Sequence, residues 1–304
     1  MPPRKGPKDK WAPPPANPPS AAVPAPLKRL PTATFHDLFV FPMQRVLLEE
    51  ITDQLQRLTP IPLTVESINA LKAYEATPRE REIRKGLYIL HYKGEVCYAG
   101  KADVSLSSRL TEHFVKLSAR MGITPAQVDF RCLYLDENWS ATAHEQALIA
   151  HFQSKGVCAW NNGGFGNNDP GRQRDKTELR ADHFDRMFPI DPNLPIELLE
   201  KKGSILRLLE GVKASVPYNF RFELRKKNAA AEAEIAKEYS SVVDLTDVRP
   251  ATAKSLLHAI VDALGPQWQV TFLYGYVILY KEGFDYSAEC QQMFKVGGKV
   301  ENVI

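Results

Sequence analysis

The amino-acid sequence predicts an α+β protein built around a small three-stranded antiparallel sheet that is flanked by helices. Residues 86–103 (GLYILHYKGEVCYAGKAD) have the pattern of two strands joined by a tight turn, and 129–135 (DFRCLYL) has that of a third strand. Helical patterns at about 104–120 and 140–154 predict one helix between the second and third strands and another after the third. At 304 residues, 44% of them hydrophobic, the chain is long enough for one large domain or two modest ones.

The segment before the hairpin, residues 31–85, predicts a helical N-terminal arm. Residues 42–58 (PMQRVLLEEITDQLQRL) carry apolar side chains at helical spacing. Thr64, followed three residues later by Ser67, predicts the start of a second helix. Residues 1–30 hold ten of the 23 prolines together with several lysines, a composition that cannot bury a core. We therefore expect a disordered Pro- and Lys-rich tail ahead of the arm.

The rest of the chain divides into a core domain, 86–195, and a C-terminal α+β region, 196–304. Residues 196–240 have a helical pattern with a charged patch, and 241–280 predict a strand, a helix and a final strand or hairpin. The sequence shows no internal repeat. These patterns predict the architecture of the C-terminal region but assign no role to it.

Composition excludes some classes of protein and leaves others open. No apolar run reaches about 18 residues, so no transmembrane helix is expected, and the N-terminus lacks the apolar stretch of a secretory signal. The four cysteines, Cys97, Cys132, Cys158 and Cys290, never stand at CxxC spacing. This spacing argues against a structural zinc site. Their mostly apolar surroundings predict reduced core residues of a cytoplasmic protein. The net charge of +3 is weak evidence for an anionic partner.

Two polar side chains stand beside the apolar stripe of the helix at 104–120. The stripe runs from Leu106 to Leu117, and Arg109 and His113, four residues apart, share the neighbouring face. A histidine in such a place is most often a satisfied structural residue, whereas an arginine next to it favours an anion site. The sequence weights these two interpretations about equally.

The helix at 140–154 places Glu145 on its apolar face, because apolar side chains follow it at three, four and seven residues. A carboxylate is costly there unless it is paired or bound to a metal ion. Glu145 thus binds a metal, pairs with Arg109, or reaches solvent at the edge of the core. Asn161 stands at the entry of a glycine-rich loop, 160–175, which lacks the GK[ST] of a phosphate-binding P-loop.

Taken in chain order, these residues match the motifs of a known superfamily. The sequence resembles the GIY-YIG nucleases: Gly86-Leu87-Tyr88 stands at the first motif and Tyr98-Ala99-Gly100 at the second. The departures from the motifs, leucine and alanine for isoleucine, are at apolar positions. Arg109, Glu145 and Asn161 stand where that superfamily has its arginine, its metal-binding glutamate and its asparagine.

The combination of Arg109 with His113, and the run WNNGGFGNNDPGR, are similar to the type II restriction endonucleases of this superfamily. The similarity covers about 36–192, roughly half of the chain. It implies double-stranded DNA cut at a specific, palindromic site, a homodimer, a Mg²⁺ cofactor, and a cognate DNA methyltransferase encoded nearby. A GIY-YIG repair or mobile-element nuclease, and a catalytically inactive DNA-binding protein on the same scaffold, are the alternatives.

The resemblance also implies a role for each candidate residue. Glu145 would hold the Mg²⁺ ion, and Arg109 would bind the phosphate through its planar fork of donors. Tyr88 would be the general base, with His113 accepting its proton or holding it by a hydrogen bond. Tyr98 would position the water or the phosphate, and the two tyrosines are interchangeable in these roles.

The remaining candidates concern orientation and DNA contact. Asn161 would orient a phosphate oxygen or anchor the helix that carries Glu145. Lys101, Arg172 and Arg174 are the candidates for DNA contact. Arg172 and Arg174, at the end of the glycine-rich loop, meet either the DNA backbone or solvent.

Overall fold

The computed structural model of the chain describes residues 43–77, 83–135, 151, 158–161, 165, 179–224, 229–282, 290–295 and 301–302. These residues belong to one compact unit, Met43–Ile304. Several predicted features lie outside them: the Pro- and Lys-rich tail, Glu145 with most of its helix, and Arg172 and Arg174. Among the helices that the structure describes, none has both the length and the apolar character needed to span a bilayer.

An antiparallel sheet forms the centre of the N-terminal half. Its strands are β1 (Ile61–Pro62), β2 (Gly86–Tyr92), β3 (Glu95–Ala102) and β4 (Val128–Tyr134), in the order β1-β4-β2-β3. The three predicted strands are present, with β2 between β3 and β4. The fourth strand, β1, comes from the arm and was not predicted, because two residues carry too little pattern to be recognised.

Helices cover both faces of this sheet. α1 (Met43–Arg57) covers one face and α3 (Leu106–Ser118) covers the other. Successive side chains of a strand point to opposite faces. Leu87 and Ile89 of β2 therefore pack in the cluster that contains α1, and Tyr88 packs in the cluster that contains α3. The alternation along β2 thus directs the tyrosine of the first motif towards the helix of Arg109 and His113.

The two predicted helices of the arm and the predicted helix at 104–120 are confirmed within about two residues. The predicted helix at 140–154 lies outside the described residues except for residue 151. α2 (Val65–Ala76) begins with a reciprocal capping box between Thr64 and Ser67. α3 begins two residues later than predicted, since the Ser105 side chain caps it by accepting from the Ser108 amide.

Glu75, near the end of α2, fastens the arm to the start of α3. Its carboxylate accepts hydrogen bonds from Ser105 Oγ at 2.7 Å and from the amide and hydroxyl of Ser107, both at 2.8 Å. Tyr134 Oη donates to the same carboxylate at 3.1 Å. A negative charge is favourable at a helix N-terminus, because the first amides of the helix point towards it. The arm therefore fixes the position at which α3 starts.

The C-terminal region adds two sheets to the described part of the chain. One pairs β5 (Lys202–Ser204) with β7 (Val242–Asp244). The strands of the other, larger sheet are β6 (Asn219–Phe222), β8 (Trp268–Leu273), β9 (Tyr276–Lys281), β10 (Cys290–Lys295) and β11 (Glu301–Asn302). They lie in the order β11-β10-β8-β9-β6. A short helix, α4 (Phe184–Met187), precedes this region and packs with the N-terminal sheet. The described helices of the region itself are α5 (Ile205–Ser215), α6 (Ala229–Tyr239) and α7 (Ala253–Leu264).

The α+β class is confirmed, and one local prediction is partly wrong. The strand, helix and hairpin expected over 241–280 are present as β7, α7 and the β8–β9 pair. The stretch 196–240, expected to be helical, also contains β5 and β6. β6 pairs in parallel with β9, from Asn219 opposite Tyr276 to Phe222 opposite Leu279. Such a pairing depends on a partner far along the chain, which local periodicity does not reveal.

Arg120, just beyond α3, joins the two halves. Its Nη1 donates to Asp185 Oδ1 at 2.7 Å and to the carbonyl oxygens of Phe188 at 3.0 Å and Tyr274 at 3.4 Å. At Gly275 an added Cβ would lie only 2.6 Å from the Asp185 carboxylate, so glycine permits the close approach. The end of α3 is thereby tied to the turn between β8 and β9.

Candidate functional site

Tyr88 and Tyr98 lie side by side on the sheet face that α3 covers. In the β2–β3 register Tyr88 is opposite Gly100, and Tyr98 is opposite Leu90. The two tyrosines are therefore diagonal cross-strand neighbours, and their ring centroids are 6.0 Å apart with an interplanar angle of 29°. Tyr88 has no exposed surface and Tyr98 retains 7%. The register of the hairpin thus brings the tyrosines of the two motifs together.

Gly100 leaves the space that the Tyr88 ring occupies. A Cβ built on Gly100 would lie 2.5 Å from Oη and 2.6 Å from Cζ of Tyr88, and 2.8 Å from Cε1 of Tyr98. A Cβ on Gly86 would lie 2.2 Å from the backbone oxygen of Leu133 on β4. Both motif glycines therefore permit a close approach, Gly100 of a side chain and Gly86 of the adjacent strand.

α3 presents Arg109 and His113 to the Tyr88 hydroxyl. Tyr88 Oη lies 2.7 Å from His113 Nε2, and Arg109 Nε donates to the same oxygen at 3.3 Å. The spacing of four residues places both side chains on one face of the helix, as predicted. Arg109 Nη1 also pairs with Glu112 Oε2 at 2.5 Å. Arg109 therefore connects a buried phenol to a carboxylate near solvent.

Burial decides the protonation states of this group. Burial raises the pKa of Tyr88 well above its usual range, Tyr98 adds to that increase, and Arg109 opposes it. Burial also lowers the pKa of His113 well below its usual range, and the positive charges of Arg109 and Lys116 act in the same direction. At neutral pH Tyr88 thus keeps its proton and His113 is neutral. With the imidazole proton on Nδ1, Nε2 accepts from Tyr88 while the phenol oxygen accepts from Arg109.

Phe165, from the glycine-rich loop, packs against the same rings. It stacks on His113 with centroids 4.8 Å apart at 19°, and meets Tyr98 nearly edge-on at 5.1 Å. Its backbone oxygen accepts a hydrogen bond from Lys116 Nζ. Neither Phe165 nor Lys116 was predicted from sequence. The available signal was that Lys116 lies three residues after His113 and seven after Arg109, on the same face of α3.

Asn161 holds the outer edge of β3. Its Nδ2 donates to the Ala99 oxygen at 2.7 Å, and its Oδ1 accepts from the Ala99 amide at 2.9 Å. Next to it the Trp160 amide donates to the Cys97 oxygen at 3.0 Å. The carboxamide thus replaces a strand partner for the central residue of the second motif. The predicted contact of Asn161 with phosphate stays a prediction, and its relation to Glu145 lies outside the described residues.

A cleft of about 330 Å³ opens beside Arg109. Its lining includes Lys101, Asp103, Ser105, Ser108, Arg109 and Glu112. Lys101 Nζ lies 3.1 Å from Asp103 Oδ1, as Arg109 lies close to Glu112. The two carboxylate side chains are 64% and 62% exposed, so each can turn away into water. An anion that enters the cleft can therefore replace these carboxylates as the partner of Lys101 and Arg109.

The described donors suit an anion rather than a bare metal ion. Within the described ranges, no group of three or more His, Cys, Asp or Glu side chains is placed to hold a metal. The groups around Tyr88 are a guanidinium, a second phenol and a neutral imidazole. A Mg²⁺ ion bound by one carboxylate, waters and phosphate oxygens needs no such group. The described donors fit an anion, and the predicted metal ligand Glu145 lies outside the described residues.

Comparison with known proteins adds no family to these observations. No protein-family model matches the chain, and no curated protein matches it. The interpretation of the site therefore depends on its own geometry: two adjacent tyrosines on a hairpin, an arginine and a neutral histidine on one phenol oxygen, and a cleft beside the arginine.

Proposed function

We propose that this chain is a Mg²⁺-dependent DNA endonuclease of the type II restriction class, with the one-metal chemistry of the GIY-YIG superfamily. It hydrolyses phosphodiester bonds of double-stranded DNA at a specific site. The observation that carries the proposal is the Tyr88 hydroxyl, 2.7 Å from His113 Nε2 and 3.3 Å from Arg109 Nε. A phenol between a proton acceptor and a cation can pass on its proton as negative charge develops on its oxygen.

Tyr88 acts as the general base through His113. The attacking water gives a proton to Tyr88 Oη as the proton of Tyr88 passes to His113 Nε2. The water oxygen forms a bond to phosphorus as the bond from phosphorus to the 3′ oxygen breaks, and the departing 3′ oxygen takes a proton from solvent water to become a hydroxyl. Arg109 stabilises the charge that develops on the phenol oxygen during the transfer. Tyr98, whose ring lies beside Tyr88, borders the position of the water.

The cleft beside Arg109 receives the phosphate. Arg109 reaches both the cleft and the Tyr88 hydroxyl, so a phosphate bound to its outer nitrogens stands next to the base. Lys101 supplies a second positive charge on the same cleft. Tyr88 itself is fully buried, so binding of substrate also opens the packing around its hydroxyl.

The proposal includes a metal ion and a second subunit. Mg²⁺ held by Glu145 would supply Lewis-acid stabilisation of the phosphate and of the leaving oxygen. Each chain carries one such site, and cutting both strands of a palindrome takes two, so the proposal includes a homodimer on its DNA. A DNA methyltransferase encoded nearby would protect the host from cleavage.

Cleavage of unmethylated phage DNA tests the proposal. The purified chain is incubated with this DNA and Mg²⁺ beside its Tyr88→Phe, Glu145→Ala and Tyr92→Phe variants. Tyr92 lies on the same strand as Tyr88 and is a matched control for losing one hydroxyl. We expect discrete fragments from the wild type and Tyr92→Phe, and loss of cleavage in the other two.

The other outcomes identify the alternatives. If the wild type and all three variants leave the DNA intact but still bind it in a mobility-shift assay, the endonuclease proposal is rejected. That outcome favours an inactive DNA-binding protein. A smear in place of discrete fragments retains a nuclease and rejects the restriction class. A Tyr88→Phe variant that cuts at the wild-type rate removes Tyr88 as the base and transfers that role to Tyr98.

A further inference from the structure

Lys116 lies on the side of α3 that faces the candidate site. Its Nζ donates to the backbone oxygen of Phe165 at 2.5 Å and lies 5.1 Å from the centroid of the Phe165 ring. The lysine therefore holds Phe165 at two points, the carbonyl and the ring face. These contacts join α3 to Phe165, which belongs to the glycine-rich loop.

Phe165 transmits this contact to the site. Its ring stacks on His113 at 4.8 Å and meets Tyr98 nearly edge-on at 5.1 Å, and it is 1% exposed. His113 in turn contacts the Tyr88 hydroxyl. A continuous series of contacts thus runs from the Lys116 ammonium to the proposed general base.

A cation in this position is costly for the fold. Burial lowers the pKa of Lys116 to about 8, Arg120 and Arg109 act in the same direction, and Asp185 opposes them. The described hydrogen bond of the ammonium is to a neutral carbonyl, which compensates a charge less well than a carboxylate does. Strained or destabilising charges of this kind are concentrated at functional sites.

The charges around His113 come from three elements. Arg109 and Lys116 lie on its own helix, Tyr88 reaches it from β2, and Tyr98 faces it from β3. The two cations disfavour a charged imidazole, and burial raises the pKa of the Tyr88 phenol, which keeps it uncharged at neutral pH. Removing the Lys116 charge therefore makes His113 easier to protonate.

We propose that Lys116 is a positioning residue, which holds Phe165 against His113 and Tyr98 and keeps His113 a neutral acceptor for the proton of Tyr88. The proposal rests on the proposed function for its catalytic meaning. Its physical content, a link between the Lys116 charge and the protonation of His113, holds whether or not the chain cuts DNA.

Lys116→Met removes the charge and the donor at similar side-chain length, and Lys116→Arg keeps both. Lys213→Met is the matched control, because Lys213 also lies over an aromatic ring, that of Phe222 at 5.7 Å, but in the C-terminal region. The protonation of His113 is followed in each protein by NMR of the imidazole nitrogens as pH is lowered. Cleavage rates of Mg²⁺-loaded enzyme are measured over the same pH range.

We expect the protonation midpoint of His113, and with it the acid limb of the cleavage rate, to move to higher pH in Lys116→Met. The expected movement is on the order of half a pH unit, for one charge removed beyond the Phe165 ring in a partly screened site. Lys116→Arg and Lys213→Met are expected to keep the wild-type midpoint. The melting temperature of Lys116→Met at neutral pH should equal or exceed that of the wild type, because a partly buried cation bound to a neutral carbonyl is gone.

An unchanged His113 midpoint in Lys116→Met overturns the proposal. A midpoint that moves in a chain without any cleavage activity supports the charge link and rejects the proposed function instead. Cleavage that falls only in proportion to a lowered melting temperature also overturns the proposal, since it shows a purely structural lysine. If Lys116→Met does not fold, Lys116→Gln removes the charge with a hydrogen-bond donor retained, and the same outcomes apply.

Discussion

Replacing Gly100 by alanine inserts one methyl group between β3 and the Tyr88 ring. The added Cβ would lie 2.5 Å from Tyr88 Oη and 2.6 Å from Cζ, where an ordinary carbon contact is about 3.5–4.0 Å. The ring therefore has to retreat by about 1 Å. It has little room to do so, because Tyr88 is fully buried and its hydroxyl is held by His113 and Arg109.

This displacement has two expected costs. Overpacking of a buried site typically destabilises by about 1–3 kcal/mol, which for a chain of this size lowers the melting temperature by several degrees. A shift of about 1 Å at a catalytic group reduces the rate by about 100-fold. Both effects come from one contact, so we expect Gly100→Ala to lose stability and cleavage activity together.

The assay compares thermal unfolding and DNA cleavage of Gly100→Ala with those of Gly211→Ala. Gly211 lies inside α5, where an added Cβ would make an ordinary contact of 3.6 Å with Leu198. Alanine in a helix interior is favoured over glycine by about 0.5–1 kcal/mol, so this control should be more stable and equally active. A Gly100→Ala variant with wild-type stability and wild-type cleavage would refute the packing argument for the second motif.

Three further predictions concern charged side chains: Asp185 at the joint between the halves, Glu75 at the start of α3, and Glu112 at the cleft. Asp185→Asn leaves the buried Arg120 cation without its carboxylate partner, so we expect urea denaturation to show a free energy of unfolding lower by about 3–5 kcal/mol. A decrease below about 1 kcal/mol contradicts the role of this ion pair in joining the two halves. Burial raises the pKa of Glu75, but hydrogen bonds from Ser105, Ser107 and Tyr134 outweigh it and lower the pKa overall. The ionised Glu75 therefore stabilises the fold above the ordinary glutamate pKa, and this stabilisation is lost as the pH falls through the lowered pKa. Glu75→Gln should therefore melt earlier than wild type near neutral pH and together with it near pH 3, and equal melting at both pH values refutes this role. Glu112→Gln removes the charged partner of Arg109 and one negative charge at the cleft. Fluorescence anisotropy at low salt should therefore show tighter binding of a DNA duplex, with little change in stability. Weaker binding contradicts the replacement of Glu112 by phosphate.

The sequence by itself determined the local features of this protein. The hairpin of β2 and β3, the capping box of Thr64 and Ser67, and the shared face of Arg109 and His113 were all predictable. Each depends on residues that are close in the sequence, where backbone preference, turn chemistry and side-chain period act directly. The order of the candidate residues along the chain was likewise available without a structure.

Only the tertiary structure decided which distant groups meet. It placed Tyr88 on the α3 face, put Gly100 under its ring, and brought Phe165 and Lys116 against His113. It also turned Asn161 towards the backbone of β3, and paired β6 with β9 in parallel. These contacts arise from strand register and from packing between segments that are far apart in the chain, and no local periodicity encodes either. The chemistry of the candidate residues was therefore predictable from their types, and their partners were not.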